Sequence, residues 1–173
     1  MDWDTYFYDI AVTVAQRSKD QSTKIGAVIV GPDHEIRSTG YNSFPRGIID
    51  NDPERQERPE KYYWFSHAEV NAIYNAARAG ISTKDCTIYL TCGIPCTSCM
   101  MGIIGSGIIS VVIYEENNEM YQRLKWCEEA IRSLHMAKEA CIDIRVYNSD
   151  MHIYSLMDYV EEAIIRIKND ESS

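Results

Sequence analysis

The chain has 173 residues, 45% of them apolar and 25% charged, with a net charge of −9; this is the size and composition of one globular domain, residues 1–173, with a core of its own. Acidic residues outnumber basic ones in residues 1–112 (13 against 10) and more so in 113–173 (13 against 7), so no basic stripe is offered to a polyanion and nucleic acid is not an expected partner. No apolar run is long enough to span a bilayer, and Met1-Asp-Trp-Asp-Thr5 lacks the basic start of a signal peptide, so the expectation is a cytoplasmic protein with no membrane partner.

Along the chain, Trp3, Tyr6, Phe7, Ile10, Ala11, Val14 and Ala15 recur at helical spacing and predict a helix over 3–17. The run from Lys24 to Val30 reads as a buried strand, Gly31-Pro-Asp33 as a turn, and Glu35 to Tyr41 as a second strand, making a hairpin. Residues 42–65 form a long irregular stretch with Pro45, Pro53 and Pro59, and a loop of that length inside a compact domain is functional or disordered. Its end, Tyr62-Tyr-Trp-Phe65, is too aromatic for disorder; these rings either pack beside a site or fill the core. Helix 67–79 with a stop at Gly80, strand 86–91, helix 98–104, strand 109–114, a helical region 117–140, strand 142–147 and helix 153–168 follow. The apolar face of the last helix (Ile153, Leu156, Met157, Val160, Ala163, Ile164, Ile167) suits a core or a subunit contact equally. A hairpin followed by alternating strands and helices predicts an α/β fold, a mixed five-stranded sheet with helices on both faces.

The chemistry is concentrated in His67-Ala68-Glu69 and, after a gap of 25 residues, Pro95-Cys96-Thr97-Ser98-Cys99. One imidazole and two thiols are three zinc ligands, which leaves a fourth tetrahedral position open for water, as a hydrolytic site requires. Zinc lowers the pKa of such a water to about 7, and Glu69 is near enough in sequence to shuttle its protons. A C-x-x-C pair alone also suits a redox dithiol, or a structural zinc site completed by Cys92 or Cys86. Those alternatives give Glu69 no reason to stand beside His67. Both halves of the motif open predicted helices, where free N–H groups and the positive dipole end favour thiolates. Of the six cysteines, Cys86, Cys92, Cys127 and Cys141 are expected to be small core residues.

The pattern H-x-E…P-C-x-x-C is the signature of zinc nucleobase deaminases, and the chain resembles the cytidine deaminase superfamily, within it the deoxycytidylate (dCMP) deaminases. The narrower resemblance rests on Trp3-Asp-x-Tyr-Phe7, Ala15-Gln-Arg-Ser-Lys-Asp20, Gly26-Ala-Val-Ile-Val30, Gly40-Tyr-Asn-Ser-Phe-Pro-Arg-Gly47 and His67-Ala-Glu-Val-Asn-Ala-Ile73, and spans residue 3 to about 114. It implies a three-layer α/β/α cytidine deaminase-like fold and hydrolysis of dCMP to dUMP and ammonia, which feeds thymidylate synthesis. It also implies a homohexamer with one zinc per subunit, dCTP with magnesium as activator and dTTP as inhibitor.

By the same resemblance, His67, Cys96 and Cys99 bind the metal. Glu69 moves protons between the water, cytosine N3 and the departing amine. The Ala68 N–H and the Ser66 carbonyl region grip the base edge, and Asn42 meets a sugar hydroxyl, the lesser alternative being that Asn42 merely caps the turn after the second strand. Lys24 is the expected phosphate partner, with Arg17, Lys19, Arg46 and Gly47 as further candidates for substrate or effector phosphates. The 43–65 stretch has no Cys or His, so a single metal is expected; His34, His135 and His152 are given no metal role. Ser43 stands where the family loop has glycine, a change that bears on that turn. The competing readings are a tRNA adenosine deaminase, a nucleoside, free-base or pterin-pathway deaminase, and a non-catalytic zinc-stabilised nucleotide-binding module.

Overall fold

The computed structural model describes residues 1–114 and 123–170. Helix α1 (Trp3–Ala15) precedes a hairpin of β1 (Gly26–Val30) and β2 (Ile36–Tyr41). A 3-10 turn (Pro53–Gln56) and one turn of α-helix, α2 (Lys61–Trp64), lie before α3 (Ala68–Ala79). Then come β3 (Thr87–Leu90), α4 (Thr97–Gly105), β4 (Ser110–Ile113), α5 (Leu124–Glu139), β5 (Asp143–Val146) and α6 (Ile153–Asp170). The strands make one sheet in the order β2-β1-β3-β4-β5. β1 is antiparallel to β2 and β3, while β3, β4 and β5 run parallel: the mixed five-stranded sheet that the order of elements predicts.

Alternation along the strands separates two apolar layers. Val28, Val30, Tyr89 and Val112 pack with Phe7 and Ala11 of α1. Ala27, Ile29, Ile88, Leu90, Val111, Ile113 and Ile144 belong to a larger core with residues of α3, α4, α5 and α6. Leu156, Val160 and Ala163 of α6 are buried there, so this part of its apolar face is core.

Several sequence expectations shift. The first strand begins at Gly26, leaving Lys24 in the preceding loop, and the first helix stops at Ala15. The 42–65 stretch is only partly irregular, because two short helical turns punctuate it. Of the region expected to be helical over 117–140, Leu124–Glu139 is helix and 117–122 lies outside the described residues. Cys86 and Cys127 are buried and Cys92 half-buried, but Cys141 is exposed; it occupies a left-handed turn with φ 56° after α5, where the chain leaves the helix surface.

One close approach governs where the site can form. A Cβ added to Gly40 in β2 would lie 2.3 Å from the Ala72 nitrogen and 2.4 Å from the Ala68 carbonyl. Only a glycine lets α3 lie this tightly on the strand. Side chains fasten the contact: Ser38 Oγ donates to the Ala72 carbonyl at 2.7 Å, and Asn71 and Asn75 donate to the Tyr41 and Thr39 carbonyls at 2.8 and 2.7 Å. β2 is an edge strand, and these bonds occupy carbonyls that would otherwise invite another chain.

Candidate active site

A helix start leaves N–H groups free, and a side chain usually takes one of them; Asp2 does so for α1, accepting from the Thr5 nitrogen at 2.8 Å. In α3 and α4 that capping position belongs to His67 and Cys96, and neither makes a side-chain cap hydrogen bond, although Cys96 Sγ lies 3.2 Å from Ser98 Oγ. His67 and Cys96 approach each other instead. His67 Nδ1 lies 3.5 Å from Cys96 Sγ and 3.4 Å from Cys99 Sγ, and the three ligand atoms all lie within 4.8 Å of one another. A tetrahedral zinc with nitrogen at about 2.05 Å and sulfur at about 2.3 Å sets N···S edges of about 3.5 Å, so the donor set and its spacing fit that metal.

Protonation agrees with a site shaped for a cation. The Cys99 thiol, with help from His67 and against burial, holds the Cys96 thiol down to about 3, so it is a thiolate. The same bond pushes Cys99 up, and Cys96 in turn raises His67 to about 9. The group therefore holds protons that a metal ion displaces on binding.

Glu69, in the first turn of α3, is 4% exposed. Burial pushes its carboxyl up, against the opposing pull of His67. A carboxyl raised in this way exchanges protons more readily near neutral pH than an exposed one.

His67, Ala68, Glu69 and Cys96 open onto a cleft of about 560 Å³, a volume typical of small-molecule sites. Asn42 and Lys24 also line it. The Asn42 amide is heavily committed: Oδ1 accepts from the Ile25 nitrogen at 2.8 Å, and Nδ2 donates to Asp20 Oδ2 and the Thr23 carbonyl at 3.0 and 2.8 Å. One Oδ1 lone pair remains for a ligand. Ser66 is not on the cleft surface; its carbonyl accepts from the Ser43 nitrogen at 3.0 Å, in an isolated bridge between the two residues. Ser43 does not have a positive φ, so its backbone places no demand for glycine. Arg17, Lys19, Arg46 and Gly47 are exposed and away from the cleft, and Lys19 pairs with Asp50 at 2.5 Å.

Tyr62 and Phe65, of the aromatic run expected beside a site or in the core, line the cleft, and other residues around it escape a reading of the sequence. Arg58, Lys61, Tyr62 and Phe65 come from the 42–65 stretch and its end, while Arg123, Trp126 and Glu129 come from the start of α5. Thr97 Oγ1 of α4 donates to Glu129 at 3.2 Å and ties the two helices together. The i, i+3 spacing of Trp126 and Glu129 places them on one helix face, but nothing local says that this face meets α4.

A family profile described as the cytidine and deoxycytidylate deaminase zinc-binding region matches residues 1–115. The chain belongs to this deaminase family. The deoxycytidylate deaminase of Mus musculus is 36% identical over 121 residues, covering 67% of this chain and 66% of that protein. A probable deoxycytidylate deaminase of Caenorhabditis elegans is 41% identical over 118 residues, 66% of this chain and 58% of its own length. The chain thus spans 66% and 58% of the length of those two relatives. The deoxycytidylate deaminase of Mycobacterium phage D29 is 37% identical over 128 residues, 97% of its own length but 67% of this chain. Among solved structures, the dCMP deaminase of cyanophage S-TIM5 in complex with dCMP and dUMP superposes with a TM-score of 0.65 at 19% identity, covering 83% of this chain and 95% of that one. At that identity the likeness shows a shared fold, the three-layer deaminase architecture. The family match ends before α5, so His67, Glu69, Cys96 and Cys99 fall within it, whereas Arg123, Trp126 and Glu129 fall outside.

Proposed function

We propose that this deaminase hydrolyses dCMP to dUMP and ammonia, with one zinc per subunit held by His67, Cys96 and Cys99. The observation that carries the reading is the buried Glu69 beside three ligand atoms within 4.8 Å, on a cleft bordered by Lys24, Arg58 and Arg123. Zinc, when bound, supplies Lewis-acid activation of a water. Glu69 accepts that water's proton, passes it to N3 of cytosine, and delivers one to the amino group as the C4–N bond breaks. A C4–O bond forms and ammonia leaves, so atoms balance and no redox partner is needed. The Ala68 N–H, at the start of α3, donates to the base edge, with the Ser66 carbonyl region behind it. Asn42 offers its remaining lone pair to a sugar hydroxyl.

Lys24, with Arg58 and Arg123, meets the 5′-phosphate. A few local cations on a chain of net charge −9 suit one phosphate and disfavour a polyanion. Arg17, Lys19, Arg46 and Gly47, away from the cleft, are assigned to effector phosphates: dCTP with magnesium as activator and dTTP as inhibitor. The assembly is a homohexamer in the cytoplasm, and the dUMP formed serves thymidylate synthesis. The names of the relatives and the nucleotides bound to the cyanophage enzyme support the substrate.

The test is ammonia release from dCMP, CMP, deoxycytidine, dCTP and a tRNA anticodon stem by zinc-loaded protein, each with and without dCTP–magnesium and dTTP. Turnover of dCMP, raised by dCTP and lowered by dTTP, is expected. Preference for deoxycytidine removes the phosphate assignment, and inertness toward every cytosine compound overturns the reading.

A further inference from the structure

We infer that the buried Lys61–Asp20 ion pair is a positioning device for the sugar–phosphate half of the cleft, an inference that rests on the nucleotide reading above. Lys61 and Asp20 are 7% and 2% exposed, and both border the cleft. Lys61 Nζ lies 2.7 and 2.6 Å from the two Asp20 oxygens and 2.5 Å from Ser22 Oγ. Of the ammonium's three N–H donors, two go to Asp20 Oδ1 and Ser22 Oγ, and Asp20 Oδ2 is held in ion-pair contact.

What the pair does is hold other groups. Asp20 Oδ1 accepts from the Ser22 and Thr23 nitrogens at 2.8 and 3.1 Å, and Oδ2 accepts from Asn42 Nδ2 at 3.0 Å. Asn42 closes the network through the Ile25 nitrogen and the Thr23 carbonyl. Three separate segments are thereby joined: the turn of α2, the loop that carries Lys24, and the residue after β2. These hydrogen bonds include none to His67, Glu69, Cys96 or Cys99.

Stability alone gives little reason to keep such a pair, since well-packed apolar replacements of buried ion pairs are often as stable. Apolar side chains cannot, however, fix the directions of the Ser22, Thr23 and Ile25 amides and of the Asn42 side chain. Burial pushes the Asp20 carboxyl up, but Lys61 and the Ser22 and Thr23 amides outweigh it and keep the carboxyl below its ordinary value, in keeping with an ionised anchor.

The test compares wild type, Lys61→Met and the Asp20→Asn, Lys61→Met double variant in steady-state kinetics with dCMP and deoxycytidine, zinc content, and amide hydrogen exchange. The positioning role predicts a rise in KM for dCMP of about tenfold or more, a smaller rise for deoxycytidine, kcat within about twofold, and undiminished zinc. Exchange should quicken in residues 20–25 and around Asn42 and stay unchanged in β3 and α4. Unchanged KM with unchanged exchange at 20–25 overturns the inference, as does a fall in kcat with zinc loss. If wild type turns over no cytosine nucleotide, the proposed function fails on its own. Exchange then decides the anchoring: quickening confined to 20–25 and Asn42 keeps it, and its absence refutes it. Should the single variant not fold, the double variant, which leaves no unpaired buried charge, carries the same readings.

Discussion

The duties proposed for Glu69 and for His67, Cys96 and Cys99 are separable, and substitution should separate them. Glu69→Gln keeps the size of the side chain and leaves the proposed ligand set intact, but removes the group proposed to take and return protons. Turnover is expected to fall by about 10³-fold, within the range that a positioned acid–base group contributes, while metal analysis still finds one zinc per chain. A Gln variant that keeps near-normal turnover would sink the proton-shuttle role. These four residues were legible in the sequence because each depends on local spacing: His67 and Glu69 lie at one helix start, Cys96 and Cys99 at another. Lys61 was not legible. A lysine in a polar stretch reads as solvated surface, and its burial depends on Asp20, 41 positions earlier. Asn42 was legible as a residue of interest, but three hydrogen bonds within the protein show that much of its amide serves the loop before β1.

At the scale of elements, α3 is fixed by the strand beneath it. Gly40→Ala would drive a methyl group into the Ala68 carbonyl and the Ala72 nitrogen, both backbone atoms. The helix must then move off β2 and take His67 and Glu69 with it. A loss of about 1–3 kcal/mol is expected, as for overpacked cores, together with weaker zinc retention. An unchanged melting temperature with full zinc would show that α3 accommodates the methyl in place.

The starts of α3 and α4 make a second prediction. Because His67 and Cys96 make no side-chain cap bond, a bound metal would add a fastening to those two turns. Removing zinc with a chelator should lower the melting temperature and speed amide exchange first at the starts of α3 and α4, with β1 and β3 spared. Uniform exchange after chelation would refute that order. Most elements were readable from apolar periodicity. The 3-10 turn and α2 were not, since helices of a single turn have no stability of their own and exist through tertiary contacts. The start of β1 was misplaced by two residues because the chain before Gly26 is drawn to Asp20 and Asn42, which periodicity cannot register.

Across the whole molecule, the first helix is tied to the last strand. Arg145 of β5 makes a bidentate bond to Asp4 of α1, and Tyr89 of β3 donates to the same carboxylate at 2.7 Å. Arg145 is the main reason that the Asp4 carboxyl sits below its ordinary value, with Tyr89 adding to the effect and burial opposing it. A carboxyl whose pKa is lower folded than unfolded stabilises above the unfolded value of about 3.9, and that stability is lost as pH falls through the folded value. Urea titrations should therefore show wild type exceeding Asp4→Asn near neutral pH, with the gap closing in acid. A gap independent of pH would mean that the carboxylate charge contributes nothing. The mixed sheet was readable from the succession of elements, because a hairpin pairs antiparallel and strand–helix–strand units pair parallel. The clamp was not, since it joins residues 141 positions apart.

The part of the cleft wall that α5 supplies has a practical consequence for anyone wishing to redirect this catalyst. The reactive half of the cavity comes from residues matched by the deaminase family, and Arg123, Trp126 and Glu129 come from beyond residue 115. An engineer could randomise those three positions without altering a metal ligand or Glu69. A library confined to them is thus a search over which substrate enters, with the residues proposed for metal binding and proton transfer left unchanged.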